Sequence, residues 1–302
     1  MSKHGRDINC TEATISGGFC VSNATVDNTY CTSRALATLL AQKHFLKQRV
    51  LDLGCGAGGY GKLFLARPDL NISWLGIDGA ANIESATKSF VRYGDLSTGI
   101  PSYARQPWDW VMSLEVAEHV PRGGEARFMH NLVSLAQVGI VLSWANLGQM
   151  GHQHVNCQSG AYVTCMMHLL GWQHSTRESE TLRHGTIVRP CDWLKSTIRI
   201  FRPNASQAVW RPLPETASNS FIETYMKLSR ERCGYLRGGC ARRYFAHTPD
   251  HLNNSEAFAR TARRLNLTKT QLAEKLPQEE EHAAERRSRG PREKNFTSGA
   301  KL

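Results

Sequence analysis

Long apolar runs are missing from this chain of 302 residues, and no stretch approaches the roughly 18 residues that span a bilayer. The charged start, Met1-Ser2-Lys3-His4-Gly5-Arg6-Asp7, has no apolar segment behind it and does not read as a secretory signal. No Cys-x-x-Cys pair occurs among nine cysteines spread from Cys10 to Cys240, which argues against a zinc ribbon. Their odd number argues against a complete disulfide framework, so reduced thiols are the simplest expectation. Internal repeats are absent. A composition of 41% hydrophobic and 21% charged residues excludes collagen-like, coiled-coil and wholly disordered chains. These absences predict a cytoplasmic or otherwise intracellular protein with no membrane partner. One pattern runs the other way: Asn-x-Ser/Thr stands at Asn9, Asn23, Asn71, Asn204, Asn253, Asn266 and Asn295. Such sites are glycosylated only in chains that enter the secretory pathway.

What is present begins with charge. Lys and Arg number 37 against 26 Asp and Glu, and residues 204–302 hold +7 of the net +11. Such an excess favours an anionic partner and constrains the fold little. Residues 1–32 are polar and read as an N-terminal extension or lid. Residues 33–203 alternate helical and strand-like patterns, the signature of an α/β domain. Residues 204–277 form a basic, partly helical extension, with a helix expected within 255–276. Residues 278–302 are charged and small, and read as a disordered tail.

Within the α/β region, strands are expected at 50–53, 72–77, 90–93, 108–114 and 138–144, with a closing hairpin of 186–188 and 197–201. Helical spacing covers 34–45, 61–66, the positions Phe128, Leu132 and Leu135, and 162–170. Alternation of this kind predicts a mostly parallel sheet ending on an antiparallel pair. Trp108, Trp110 and Trp144 are expected in the core.

The sharpest local feature is Val50-Leu51-Asp52-Leu53-Gly54-Cys55-Gly56-Ala57-Gly58-Gly59-Tyr60-Gly61, an apolar strand running into glycines and then a helix. Glycine permits the required dihedrals and lets a ligand approach the backbone. The helix after the turn offers unpaired N–H groups to a polar or anionic ligand group. Asp78 ends the next strand, where a carboxylate can accept from both hydroxyls of a ribose. The spacing Gly54-x-Gly56-x-x-Gly59 also fits a dinucleotide fingerprint. Asp52, two residues before Gly54, suits a ligand with positive charge instead, and Asp95 adds an acid where an adenine amino group could donate. Three carboxylates at one crevice fit a cationic adenosyl ligand better than a dianionic pyrophosphate.

With Trp108-Asp109-Trp110-Val111-Met112-Ser113-Leu114-Glu115-Val116-Ala117-Glu118-His119-Val120, these motifs resemble the class I S-adenosylmethionine-dependent methyltransferases, specifically the small type 11/type 12-like subgroup, across residues 33–203. The resemblance implies a Rossmann-like seven-stranded sheet, mostly parallel with an antiparallel terminal strand pair, and helices on both faces. It implies S-adenosyl-L-methionine as cofactor, bound by Asp52, Gly54, Gly56, Gly58, Asp78, Asp95 and Glu115.

The donor's sulfonium already makes its methyl group electrophilic, so such a protein mainly aligns the acceptor; a base is needed only where the acceptor must lose a proton. The loops after the fourth and fifth strands leave the sheet on the ligand side. The first holds Glu115-x-x-Glu118-His119 and the second Asn146 to Asn156, with His152 and His154 as candidate catalytic groups. In extended backbone those two side chains would point the same way. No metal is expected; if one binds, its ligands would be Glu115, Glu118 and His119, as in small-RNA 2′-O-methyltransferases with a Glu-x-x-Glu-His pattern. The expected function is methyl transfer to a small-molecule acceptor. The alternatives are a metal-assisted RNA 2′-O-methyltransferase, an NAD-dependent oxidoreductase and a non-catalytic binding protein.

Overall fold

The computed structural model describes residues 18, 21, 31–151, 153–185, 191–204, 217–237 and 240. Helix α1 (Arg34–Lys43) starts where the Ser33 side chain accepts from Leu36 N, and buries Leu36, Ala37, Leu40 and Ala41. Strand β1 (Arg49–Leu53) leads through the glycine turn into α2 (Gly59–Leu65). Next come β2 (Ser73–Asp78), the short α3 (Ile83–Ala86), β3 (Val91–Tyr93), β4 (Trp108–Leu114), α4 (Arg122–Leu135) and β5 (Ala136–Ser143). The chain continues through α5 (Gly160–Leu169), β6 (Trp172–His174), α6 (Thr176–Gly185), α7 (Leu194–Thr197), β7 (Arg199–Pro203) and α8 (Asn219–Glu231).

The sheet has seven strands in the order β3-β2-β1-β4-β5-β7-β6. Strands β1 to β5 are parallel, in registers such as Leu53↔Ile77, Asp52↔Met112 and Leu114↔Ser143. Strand β7 runs antiparallel to both neighbours, with Val141↔Ile200 and Gln173↔Arg202. This is the mostly parallel, Rossmann-like sheet expected from the sequence. Its order reverses between β1 and β4, which opens a crevice at their carboxyl ends.

Strand alternation explains the two cores. Val50, Trp110, Met112, Val141 and Ile200 point to one face, against α1 and Phe64. Leu51, Leu53, Val111, Ile140 and Leu142 point to the other, against α4, α5 and Tyr225 of α8. Strands buried on both faces read as continuous apolar runs, which is why β1, β4 and β5 were legible. Trp108, Trp110 and Trp144 are all buried.

The terminal strand pair is not the expected hairpin. Its sixth strand is Trp172–His174, and two helices separate it from β7. Gly171, at φ +83°, ends α5 and turns the chain into this strand. Residues 186–190 lie outside the described residues. So does the helix expected within 255–276.

Part of the basic extension belongs to the core. Phe221 and Tyr225 of α8 are buried, and the helix packs on α4 and α5. Glu125 organises this contact: it accepts from the Tyr162 hydroxyl and, at 2.6 Å, from the Tyr225 hydroxyl. Arg122 pairs with Glu125 at 2.5 Å and lies 3.7 Å from the centre of the Tyr235 ring.

The expectation of reduced thiols fails. Disulfides join Cys31 to Cys191, Cys157 to Cys240 and Cys165 to Cys233, across sequence separations of 160, 83 and 68 residues. Such distant partners leave no spacing signature, so counting cysteines could not find them. Among the described residues, Cys55 is the free cysteine.

Candidate functional site

The glycine turn shapes the floor of the site. Gly54, Gly56 and Gly58 have φ of +78°, +54° and +76°, values that side chains rarely adopt. Gly54 N donates to Ile77 O at 2.7 Å, which ties the turn to β2. A Cβ on Gly54 would strike Val116, and one on Gly58 would come within 2.6 Å of the Phe90 ring. At Gly56 a Cβ would meet nothing within 4 Å, because this residue borders a cavity of about 450 Å³ at the strand ends.

Asp52, Asp78, Asp95, Glu115 and Glu118 all line that cavity, and no Lys or Arg stands among the described lining residues. Asp78 ends β2 and accepts from Gly56 N at 2.8 Å and Ala80 N at 2.9 Å. Burial raises its pKa, and the two backbone donors oppose that shift. Asp52, buried on β1, accepts from the Trp74 indole at 3.3 Å, and burial pushes its pKa up to about 8. Asp95 engages Oδ1 with the backbone N and hydroxyl of Ser97, at 2.9 and 2.7 Å. Gly54 and Gly56 border the cavity; Gly58 stands behind it and caps α2.

Glu115 sits just past β4 with φ +56°, a strained conformation for a residue with a side chain. The twist is held because its backbone N donates to Ser143 Oγ at 2.7 Å, while its carboxylate accepts from Thr197 Oγ1 and Gln149 Nε2, each at 3.0 Å. Burial raises its pKa.

The loops after β4 and β5 are stitched together: Glu118 O accepts from Val155 N at 2.8 Å and Asn156 N at 2.9 Å. This brings His154 to the cavity, where Gly151 leaves room for its ring. The imidazoles of His119 and His154 meet edge to face, 4.9 Å between centres. Glu118 Oε1 lies 3.9 Å from Nε2 of each, is fully buried and makes no hydrogen bond. Its pKa is raised well above the usual range, first by burial and then by neighbouring Glu115. Glu118, His119 and His154 offer ligand atoms within 4.8 Å of one another, a set able to hold a metal ion. This differs from the grouping Glu115, Glu118 and His119, because Glu115 turns toward Thr197 and Gln149. His152 lies outside the described residues. Asn156 is structural, donating to Glu125 Oε2 at 2.8 Å.

Sequence reasoning missed several walls of the cavity. Tyr60 lines it, with its hydroxyl 3.3 Å from Ser33 N and its pKa pushed up to about 12 by burial. Trp193 and Leu194 approach from the segment before β7, which the Cys31–Cys191 disulfide joins to the start of α1. Val21 reaches the rim through paired hydrogen bonds with the Asn82 side chain, at 2.9 and 2.7 Å. Tyr60 stands inside the glycine motif and could have been found there. The others depend on long-range contacts that have no local pattern.

The chain matches no known family profile and no curated protein. Solved structures similar to it include magnesium protoporphyrin IX methyltransferase from Synechocystis PCC 6803 with bound SAM, 21% identical over 59% of this chain and 77% of that one, at a TM-score of 0.38. The CcbJ methyltransferase from Streptomyces caelestis is 11% identical over 63% and 98%, at 0.45. The methyltransferase domain of a bacterial Hen1 is 16% identical over 57% and 98%, at 0.42. At these identities and scores the likenesses say nothing about ligand or acceptor.

Proposed function

We propose that this chain is an S-adenosylmethionine-dependent methyltransferase acting on a small-molecule acceptor. The observation that carries the reading is the cavity wall itself: five carboxyl groups and no cationic side chain among its described residues, beside a backbone turn left open at Gly56. A cationic, adenosine-bearing ligand suits this wall, whereas the pyrophosphate of a dinucleotide would face uncompensated negative charge. When bound, the sulfonium supplies an electrophilic methyl group.

The chain's own residues divide the remaining work. Asp78 would hold the ribose hydroxyls and Asp95 the adenine amino group, while Gly54, Gly56 and Gly58 let the ligand approach the backbone. Asp52 and Glu115 would offset its positive charge. His154, on the loop beyond these groups, would orient the acceptor or take its proton, a role His152 of the same loop would share. The rings of Tyr60 and Trp193, which line the cavity, would shield the reacting centre from water.

A second reading, metal-assisted transfer to an RNA 2′-hydroxyl, is favoured by one specific observation: the orphaned Glu118 Oε1 between two imidazoles. Titration calorimetry with S-adenosylmethionine, S-adenosylhomocysteine and NAD tests the ligand class, and the first two alone should bind. Metabolite and RNA pools incubated with isotopically labelled donor, with and without a chelator, then separate the acceptors. Binding of NAD alone would overturn both readings.

A further inference from the structure

We propose that Asn71 carries an N-linked glycan, and that the chain matures in the oxidising lumen where such glycans are added. Two independent observations meet here. The first is covalent: six of the seven cysteines among the described residues are paired, with Cα atoms 5.0–5.5 Å apart, by bridges that join distant parts of the chain. Disulfides of this kind form and persist in oxidising compartments and are rare where glutathione keeps thiols reduced. Each forms as two thiols exchange with a protein or low-molecular-weight disulfide, which takes up the two electrons and two protons and leaves as two thiols.

The second observation is local. Among the Asn-x-Ser/Thr sites, Asn71-Ile72-Ser73 is described throughout. Asn71 is exposed and holds φ +47° at the end of a short helical turn, with its N–H bonded to Pro68 O at 3.1 Å. Ile72 between them is buried, which anchors the turn, and Ser73 is exposed again. The acceptor amide therefore stands on the surface while its neighbour fixes the backbone, as a bulky hydrophilic attachment requires. The site is also remote from the cavity. Asn71 precedes the amino end of β2 and Asp78 closes its carboxyl end, about 17 Å away at the rise of an extended strand. A glycan here leaves the ligand mouth clear.

In the transfer step, the C1–O bond of a lipid-pyrophosphate-linked oligosaccharide breaks and a bond from C1 to Asn71 Nδ2 forms. The amide loses one proton, and the lipid pyrophosphate departs with the bonding electron pair. The proposal is independent of methyl transfer.

The test uses the whole chain, purified from its native source or from eukaryotic cells. Release of glycans by an amidase in heavy-oxygen water should return residue 71 as labelled aspartate. Non-reducing peptide mapping of the same sample should return the pairs Cys31–Cys191, Cys157–Cys240 and Cys165–Cys233. Asn71→Gln, and separately Ser73→Ala, should each remove one glycan's worth of gel mobility shift and leave donor affinity unchanged. An unlabelled Asn71 peptide in protein with intact cystines would overturn the glycan. All six cysteines recovered as thiols would overturn the compartment.

Discussion

Glu118 Oε1 and His154 Nε2 face each other at 3.9 Å, across two loops whose backbones are hydrogen-bonded together. One side chain lies just past β4 and the other past β5, so the parallel pairing of Leu114 with Ser143 brings the loops out side by side. This end of the cavity is thereby built on the sheet, and what it can bind depends on what fills the space between a buried carboxyl and two imidazoles.

His154→Ala should lower turnover more than it lowers donor affinity, because the ring borders the cavity beyond the carboxylates assigned to the donor. If the ring takes a proton, kcat should fall on the order of 10²–10⁴-fold. If it only places the acceptor, KM should rise with a smaller change in kcat. Wild-type kinetics on an identified acceptor would make this loop structural.

Asp78→Ala should weaken S-adenosylmethionine by roughly 1–3 kcal/mol, the scale of leaving buried hydroxyls without a charged acceptor. Calorimetry measures this directly. The variant also frees Gly56 N and Ala80 N, so its fold must be checked by circular dichroism. Unchanged affinity in a folded variant would remove Asp78 from the donor site.

The glycines should separate fold from ligand. Gly54→Ala drives a methyl group into Val116 and should lower Tm sharply. Gly56→Ala meets only strain of about 1–2 kcal/mol from its left-handed backbone, since its Cβ points into open space. It should stay folded yet bind donor more weakly. Equal affinity in the Gly56 variant would mean that no ligand approaches the turn.

Much of this arrangement was legible in the order of the residues. The buried strands announced themselves as apolar runs, and the turn after β1 combined glycines with Asp52 in a pattern that pointed to the wall of the cavity. Asp78 and Asp95 were found by counting strand ends. Strand β6 was not legible, because three residues show no period and Gly171 marks a helix end without saying whether a strand or a loop comes next. The disulfides, Trp193 and the link from α8 to Glu125 are contacts between distant segments, and a single sequence holds no record of them. His119 and His154 stood in view, but their meeting with Glu118 rather than Glu115 depends on the φ of one residue, Glu115.

Asp52 makes stability depend on pH. Its pKa is pushed up to about 8 by burial, above the ordinary aspartate value of 3.8. Between those limits the folded chain binds more protons than the unfolded one, so the contribution is fully present below pH 4 and is lost as pH rises through 8. Asp52→Asn keeps an acceptor for Trp74 and should flatten this slope, gaining no more than about 6 kcal/mol at the alkaline end. Saturating S-adenosylmethionine should also flatten it, because a cation beside Asp52 favours the carboxylate. Thermal melts from pH 5 to 9, with and without donor, measure both effects. A slope unchanged in the variant would assign the dependence to other groups, Glu115 first.

The last prediction concerns metal. A fully buried Glu118 with one unbonded oxygen is stable in only two ways: it stays protonated, or a cation sits beside it. Burial and neighbouring Glu115 raise its pKa, which favours the first state, and there the imidazoles of His119 and His154 can serve the acceptor rather than an ion. On that basis dialysis against a chelator should leave methyl transfer unchanged. Glu118→Gln, which keeps an oxygen for Ala145 N, should then retain turnover within a few-fold and melt no lower than the wild type. The metal-bound state gives opposite results in each experiment. Chelation would abolish activity, a divalent cation would restore it, and the glutamine variant would lose both activity and the thermal stabilisation that added cation confers on the wild type. Stabilisation of the wild type by zinc or manganese, absent in Glu118→Gln and in His154→Ala, would fix Glu118, His119 and His154 as the ligands and turn the search for an acceptor toward RNA.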